Sequence, residues 1–178
     1  MGKVLSDFSI IGWPGAISRS VDDIVISMKN AGSTPIPFGA PVFLSSDGEG
    51  VLAFDNSASP AQTFATFVGF AVRDASKTPD AYPSGQDMSS VLNQNDNNVG
   101  QYGANDVVDI IVRGSVTLKT TVGFLPGGNV YIRKSDGKLV PDAGAEGTTI
   151  LLENVRMKTP QENYMPCSEV VLINRNTL

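Results

Sequence analysis

Residues 107–119 read VVDIIVRGSVTLK, and the alternation of this stretch decides the fold. Val108, Ile110, Val112, Val116 and Leu118 share one parity, while Asp109, Arg113, Ser115, Thr117 and Lys119 take the other. A period of two marks a half-buried β-strand with one wet face, because successive side chains point to opposite sides of the pleated backbone. At ~3.3 Å per residue this stretch outruns an ordinary strand. Gly114 falls in the middle on the apolar parity, where a side chain would otherwise pack. The pattern predicts a bend or bulge at Gly114 that lets one strand serve two faces of a barrel or sandwich. A tight hairpin with Gly114 in its turn is the competing reading.

Working outward, the chain has 178 residues, enough for one ordinary domain with a real core plus an arm. With 18 Gly, 11 Pro and only 17% charged residues, it reads as many short strands joined by turns. The expected fold is all-β: a single small barrel-like or sandwich domain of short antiparallel strands and hairpins. Repeated hairpins joined to a third strand favour the barrel, since closure removes the sheet's edges. Strand order is left open.

Residues 1–20 differ from the rest and are expected to form an extended N-terminal arm, with 21–178 as the β-domain. Phe8, Ile10, Ile11 and Trp13 crowd together before Pro14 and Gly15 interrupt. The proline biases Trp13 to an extended conformation. These side chains either cap the domain's own core or anchor on another subunit, tryptophan being enriched among interface hot spots.

Residues 21–28 (VDDIVISM) read as a strand, followed by a stiff connector framed by Pro35 and Pro37. Then GAPVFLSSDGEGVL, residues 39–52, gives a hairpin around Asp47-Gly48, and GGNVYIRKSDGKLV, residues 127–140, repeats the arrangement around Asp136-Gly137. A weaker echo follows each: ATFVGFAVR (65–73) and TTILLENVR (148–156). Either the chain carries a two-fold internal repeat of hairpin plus third strand, or hairpins have converged on one pattern. The chain closes with strands over 149–153 and 169–173, the last apolar on both parities as for burial on both faces.

Residues 74–106 are too long and too polar for an ordinary connector, and loops of such length inside a compact domain are usually functional or disordered. Met88, Val91 and Leu92 stand at helical spacing behind Asp87, so a helical turn or two is expected there. Tyr82 and Tyr102 are the loop's aromatics. Its Asn-rich run around Asp96 lacks the closing acidic residue of a calcium loop, so no metal is expected.

The chemistry of catalysis is thin. With 0 His the chain has no imidazole base and no Ser-His or Cys-His pair. Cys167 is alone, without disulfide or zinc-ligand partners, and reads as a small buried apolar side chain. Asp22 and Asp23 are adjacent, so on a strand they point to opposite faces and cannot share a proton. Asp109 and Arg113 share a face but lie roughly 13 Å apart on an extended chain, so their ionic partners must come from neighbouring strands. The Gly127-Gly128 pair lacks the Lys-Ser/Thr of a phosphate loop. No catalytic residue and no cofactor is expected. A net charge of −5 with no basic stripe disfavours nucleic acid. No apolar run is long enough for a signal peptide or a membrane span, so synthesis and folding in a cytoplasm are expected.

Several phrases taken together carry a resemblance: PIPFGAPVFL (35–44), FVGFAVRDASKTPDAYPSGQDMSSVLNQND (67–96), VVDIIVRGSV (107–116), NVYIRKSDGKLV (129–140) and the early GWPG (12–15). The chain resembles the structural cement, or capsid decoration, proteins of tailed bacteriophages. That resemblance implies a β-rich virion protein, made in the host cytoplasm, that binds the outside of the assembled capsid and bridges major capsid protein subunits. It also implies neighbouring copies on the shell as a homo-oligomer, and no enzymatic activity. Candidate contacts to capsid or subunit are Phe8, Ile10, Ile11, Trp13 and Pro14 in the arm, and Tyr82, Met88, Val91, Leu92 and Tyr102 in the loop. A head-fibre module binding carbohydrate would share the β-domain and long loop but favour exposed aromatic platforms. A virion hydrolase is opposed by the missing histidine and unpaired carboxylates.

Overall fold

In the computed structural model the described residues are 14–18, 22–74, 100–121, 123–159 and 167–173. They form an all-β structure. Its strands, in chain order, are β1 (Ile24–Asn30), β2 (Ile36–Pro37), β3 (Pro41–Leu44), β4 (Gly50–Ala53), β5 (Phe67–Ala71) and β6 (Gln101–Tyr102). They continue with β7 (Val107–Lys119), β8 (Asn129–Arg133), β9 (Leu139–Val140), β10 (Thr149–Met157) and β11 (Cys167–Leu172). A 3-10 turn, Phe64–Thr66, precedes β5.

The decisive stretch is one strand along its whole length, so the hairpin reading of Gly114 falls. β7 serves two rings of strands. Its first half pairs with β1 and β5, which with β3 and β4 close a five-stranded barrel in which only β1–β4 is parallel. Its second half pairs with β11, which leads through β10 and β8 to β9. A parallel bridge between Thr120 and Leu139 returns that second ring to the end of β7.

Gly114 stands where β7 passes from one ring to the other, at φ 116°. A Cβ there would lie 2.0 Å from the Asp23 carboxylate, which leans over the glycine toward the Ser115 amide, 3.4 Å away. The ladder slips at the same point, Ile24 opposing Arg113 while Val25 opposes Ile111. Glycine is needed on both counts, because L side chains rarely adopt that φ and the space is taken.

The suspected repeat holds at the level of register. Asn30 lies parallel to Val51 as Thr120 lies to Leu139. Val42 faces Gly69 as Val130 faces Leu152, and Pro41 faces Phe70 as Asn129 faces Arg156. Phe70 and Ala71 meet Ile111 and Ile110 as Arg156 and Met157 meet Val171 and Val170. Finally, Ile26 opposes Ile110 as Val116 opposes Val170. The two rings are therefore one motif used twice, with β7 last in the first and first in the second.

Burial follows the same alternation. The first barrel is filled by small and β-branched residues, Val42, Val51, Val68, Ala71, Val108, Ile110 and Val112, and capped by Ile36, Phe38 and Tyr102. The opposite parity of its strands carries Phe43, Phe67, Phe70 and Ile111, which join the interior residues of the second ring, such as Val130, Leu152 and Val170, in a second cluster. Phe67 meets Phe43 and Phe70 edge-to-face at 5.9 and 5.3 Å. The outer wall of the barrel is thus part of the core of the second ring.

Candidate functional site

Of the sequence-predicted contact residues, Pro14 and Tyr102 fall within the described residues. Phe8, Ile10, Ile11, Trp13, Tyr82, Met88, Val91 and Leu92 lie outside them, as does the helical turn expected near Met88. Tyr102 sits at 1% exposure in the lid of the first barrel. There β6 pairs with β2, the ring stands edge-to-face on Phe38 at 5.3 Å, and the hydroxyl donates to the Val72 carbonyl at 2.8 Å. Burial pushes the phenol up to about 12, so it stays a neutral donor. Its side chain is committed to the chain's own core.

Pro14 is also buried, at the mouth of a groove of about 340 Å³ lined by Pro37, Phe38, Lys119, Asp136 and Leu139 among others. The groove lies at the junction of the two rings, where the N-terminal segment enters the domain. From Pro14 the chain runs along β7. The Gly15 amide donates to the Thr117 carbonyl at 2.8 Å, Thr117 donates to Ala16 at 2.9 Å and Ser18 to Ser115 at 2.9 Å. Ile17 opposes Val116 in an antiparallel bridge. Gly15 also accepts from the Arg73 amide at 2.9 Å, so this strap is stitched to both barrels. Its far end is held by side chains, with the Ser18 hydroxyl on the Glu169 carboxylate at 2.5 Å and Lys158 Nζ on the same oxygen at 2.9 Å. Residues 15–18 are therefore part of the sheet, although the sequence pattern groups them with the arm.

The polar groups that sequence reading weighed have structural partners. Arg113 bonds Asp22 at 2.5 Å, and Ser27 donates to Asp109 at 2.6 Å, each across to residues in or just before β1. Asp22 and Asp23 go to different partners, Arg113 and the Ser115 amide. Cys167 is buried, and that burial pushes its thiol up to about 12, which leaves no thiolate to act as nucleophile or ligand at neutral pH. Among the described residues no group of three or more acidic or cysteine side chains is placed to hold a metal ion. No helix among them is long and apolar enough to cross a membrane. What this surface offers is shape, backbone edges and apolar contact. Among the described residues Leu125 at 72% and Val107 at 61% are the most exposed large apolar side chains.

The sequence pattern of residues 21–28 predicts a strand and gives no sign of an exposed edge. β1 pairs along its length with β7 and meets β4 only at Lys29 and Asn30. Ile24 and Val25 remain 38% and 40% exposed. The repeat legible in the sequence begins at residue 39 and does not reach β1, so the equivalence of β1 with the second half of β7 emerges only from the strand register.

Comparison with known proteins now adds the class. The profile of the structural cement protein family (E217 gp24/Pam3 gp6) matches residues 7–174. The chain belongs to this phage structural cement family. Among solved structures it is similar to a chain of the capsid of Myoviridae phage XM1, with a TM-score of 0.66 at 15% identity, covering 93% of this chain and 92% of that one. At that identity the likeness is one of fold. No curated protein matches.

Proposed function

We propose that this protein binds the outer surface of an assembled phage capsid, bridges neighbouring major capsid protein subunits and stabilises the shell mechanically, without catalysis. The observation that carries the proposal is the family match over residues 7–174, nearly the whole chain. The fold similarity to a chain from a phage capsid accords with it. A closed barrel and a second ring of strands fused through one shared strand make a stiff bracket, and a bracket transmits load between the subunits it spans only if it does not bend. Made in the host cytoplasm, the protein joins the virion beside other copies of itself. The arm side chains Phe8, Ile10, Ile11 and Trp13 and the 74–106 loop remain the proposed extensions across subunit boundaries. A stable interface removes ~800 Å² per partner, and many copies engaged together on one lattice tolerate modest affinity at each contact.

The test is to mix the purified protein with shells lacking it and measure co-sedimentation. Saturable binding and a higher rupture temperature of the decorated shell are expected, and failure to bind at any concentration overturns the proposal. Truncating residues 1–13 is the informative arm deletion, because residues 15–18 are hydrogen-bonded into the sheet. That truncation should leave the unfolding midpoint nearly unchanged while weakening shell binding; unchanged binding excludes the arm as an anchor.

A further inference from the structure

The repeat places β1 and the second half of β7 in equivalent positions: Val25 corresponds to Ser115, Ile26 to Val116 and Ser27 to Thr117, since each opposes the equivalent residue of β7 or β11. In the second ring, the Ser115 carbonyl and both backbone groups of Thr117, which point away from β11, are taken by the strap, residues 15–18, and the Ser115 amide by the Asp23 carboxylate. In the first ring nothing among the described residues pairs with the corresponding edge of Val25 and Ser27. The β1–β4 ladder reaches only Lys29, where β4 turns back through the hairpin loop. That these two residues point outward follows independently from β7. The Asp109 carbonyl accepts from Val72 on the β5 side, so Ser27, opposite Asp109, has its amide and carbonyl turned away from β7.

We infer that the free edge of β1, residues 24–28, is a strand-addition site that takes an extended segment of the shell protein, antiparallel and in the place the strap occupies on β7. The inference rests on the capsid-binding reading and names where on the chain one shell contact is made. Exposed edges of this kind are templates for pairing, and natural proteins otherwise cover them or protect them with charge or proline. Here the edge carries Ile24, Val25 and Ser27 exposed, with no proline and no charge between Asp23 and Lys29. Four acidic residues stand at its ends, Asp22 and Asp23 before the edge and Asp47 and Glu49 in the β3–β4 turn beyond it, against two bases, Arg113 paired with Asp22 and the exposed Lys29, so the surround is net negative. In a chain of net charge −5, those acids disfavour a second copy and favour a segment flanked by lysine or arginine. The strap supplies the template for the occupant's core, a short run of small and β-branched residues such as Gly15, Ala16, Ile17 and Ser18.

Two variants of the full chain test it. Val25→Pro removes an amide donor aimed at the free edge, and Val25→Glu places an anion on the edge strand, the charge by which natural edges resist pairing. Each is checked for a native unfolding midpoint and titrated onto shells lacking the protein. The expected result is at least about a tenfold loss of affinity for the folded variants, with binding by wild type weakening as salt is raised. Amide exchange on the wild type gives a second readout that needs no variant: residues 24–28 should gain protection when the protein is on the shell. Equal binding by a folded variant, or no gain in protection, overturns the inference while leaving the capsid-binding reading intact. Wild type that fails to bind shells overturns that reading instead. Variants that alter self-association of the free protein but keep shell affinity assign the edge to a second copy and overturn the choice of occupant.

Discussion

The two rings share one register and differ in what lies outside them. On the first barrel the outward parity carries Phe43, Phe70 and Ile111, all fully buried because the second ring packs against them. At the equivalent positions the second ring carries Tyr131, Arg156 and Val171, each only partly buried, since no third ring packs against them among the described residues. Arg156 turns its guanidinium to the carbonyls of Glu153 and Val155 at 3.0 and 2.8 Å. Where a repeated unit meets its neighbour its wall becomes core, and where the series ends the wall must tolerate water. The edges differ in the opposite sense. The strap covers the second ring's edge on β7, while nothing among the described residues covers the first ring's edge on β1. One barrel is finished by its neighbour and the other by the chain's own N-terminus.

The position facing Val42 and Val130 breaks this comparison most sharply. In the first barrel it is Gly69, where a Cβ would lie 2.2 Å from the Ile111 carbonyl oxygen, so β5 and β7 are as close as backbones allow. In the second it is Leu152, fully buried. Gly69→Ala should cost about 3 kcal/mol, at the upper end for overpacking, because the obstacle is backbone and no rotamer relieves it. Leu152→Ala should cost about as much by the opposite route, an unfilled cavity. Urea unfolding measures both, and near-neutral values for either would mean that the register equivalence does not describe the packing.

Next in size is the hinge. Gly114→Ala meets both an unfavourable φ and the Asp23 carboxylate, and should destabilise by about 2 kcal/mol. Adding Asp23→Ala should recover only part of the loss, since the collision is removed and the backbone strain is not. Full recovery in the double variant would show that crowding alone, and not the passage between rings, requires glycine.

The smallest effects sharpen the contrast between the two hairpin turns. The first is held by a buried hydroxyl: Ser45 Oγ accepts from the Gly50 amide at 3.0 Å, donates to its carbonyl at 2.9 Å and also meets Asp47. Ser45→Ala should cost about 1 kcal/mol. The second turn is held by an exposed ion pair, with Arg133 on both oxygens of Asp136 at 2.9 and 2.6 Å. Arg133→Ala should cost less, as solvent screens it. Its signature is in pH. The Arg133 hydrogen bond holds the Asp136 carboxyl below the usual carboxylate range, so the pair contributes above the ordinary aspartate value of ~3.9. The difference between wild type and Arg133→Ala should fade as pH falls through the depressed value. A pH-independent difference would assign the effect to packing of the arginine stem.

The alternation of residues 107–119 and the paired Asp-Gly hairpins determined the all-β class and raised the repeat, because period-two burial and turn chemistry are local properties written residue by residue, but the choice between a repeat and converged hairpins was made by the strand register. The placement of Tyr102 was not legible, since a tyrosine in a polar stretch reads the same whether it faces solvent or seals a barrel. Nor was the strap, because residues 15–18 carry no strand signal of their own and are fixed by the unpaired backbone of β7. Closure of the first barrel through β1 and β4, the merging of its outer wall with the second core and the open edge of β1 likewise follow from which strands become neighbours. Such pairings join residues far apart in the chain, and no local pattern encodes them.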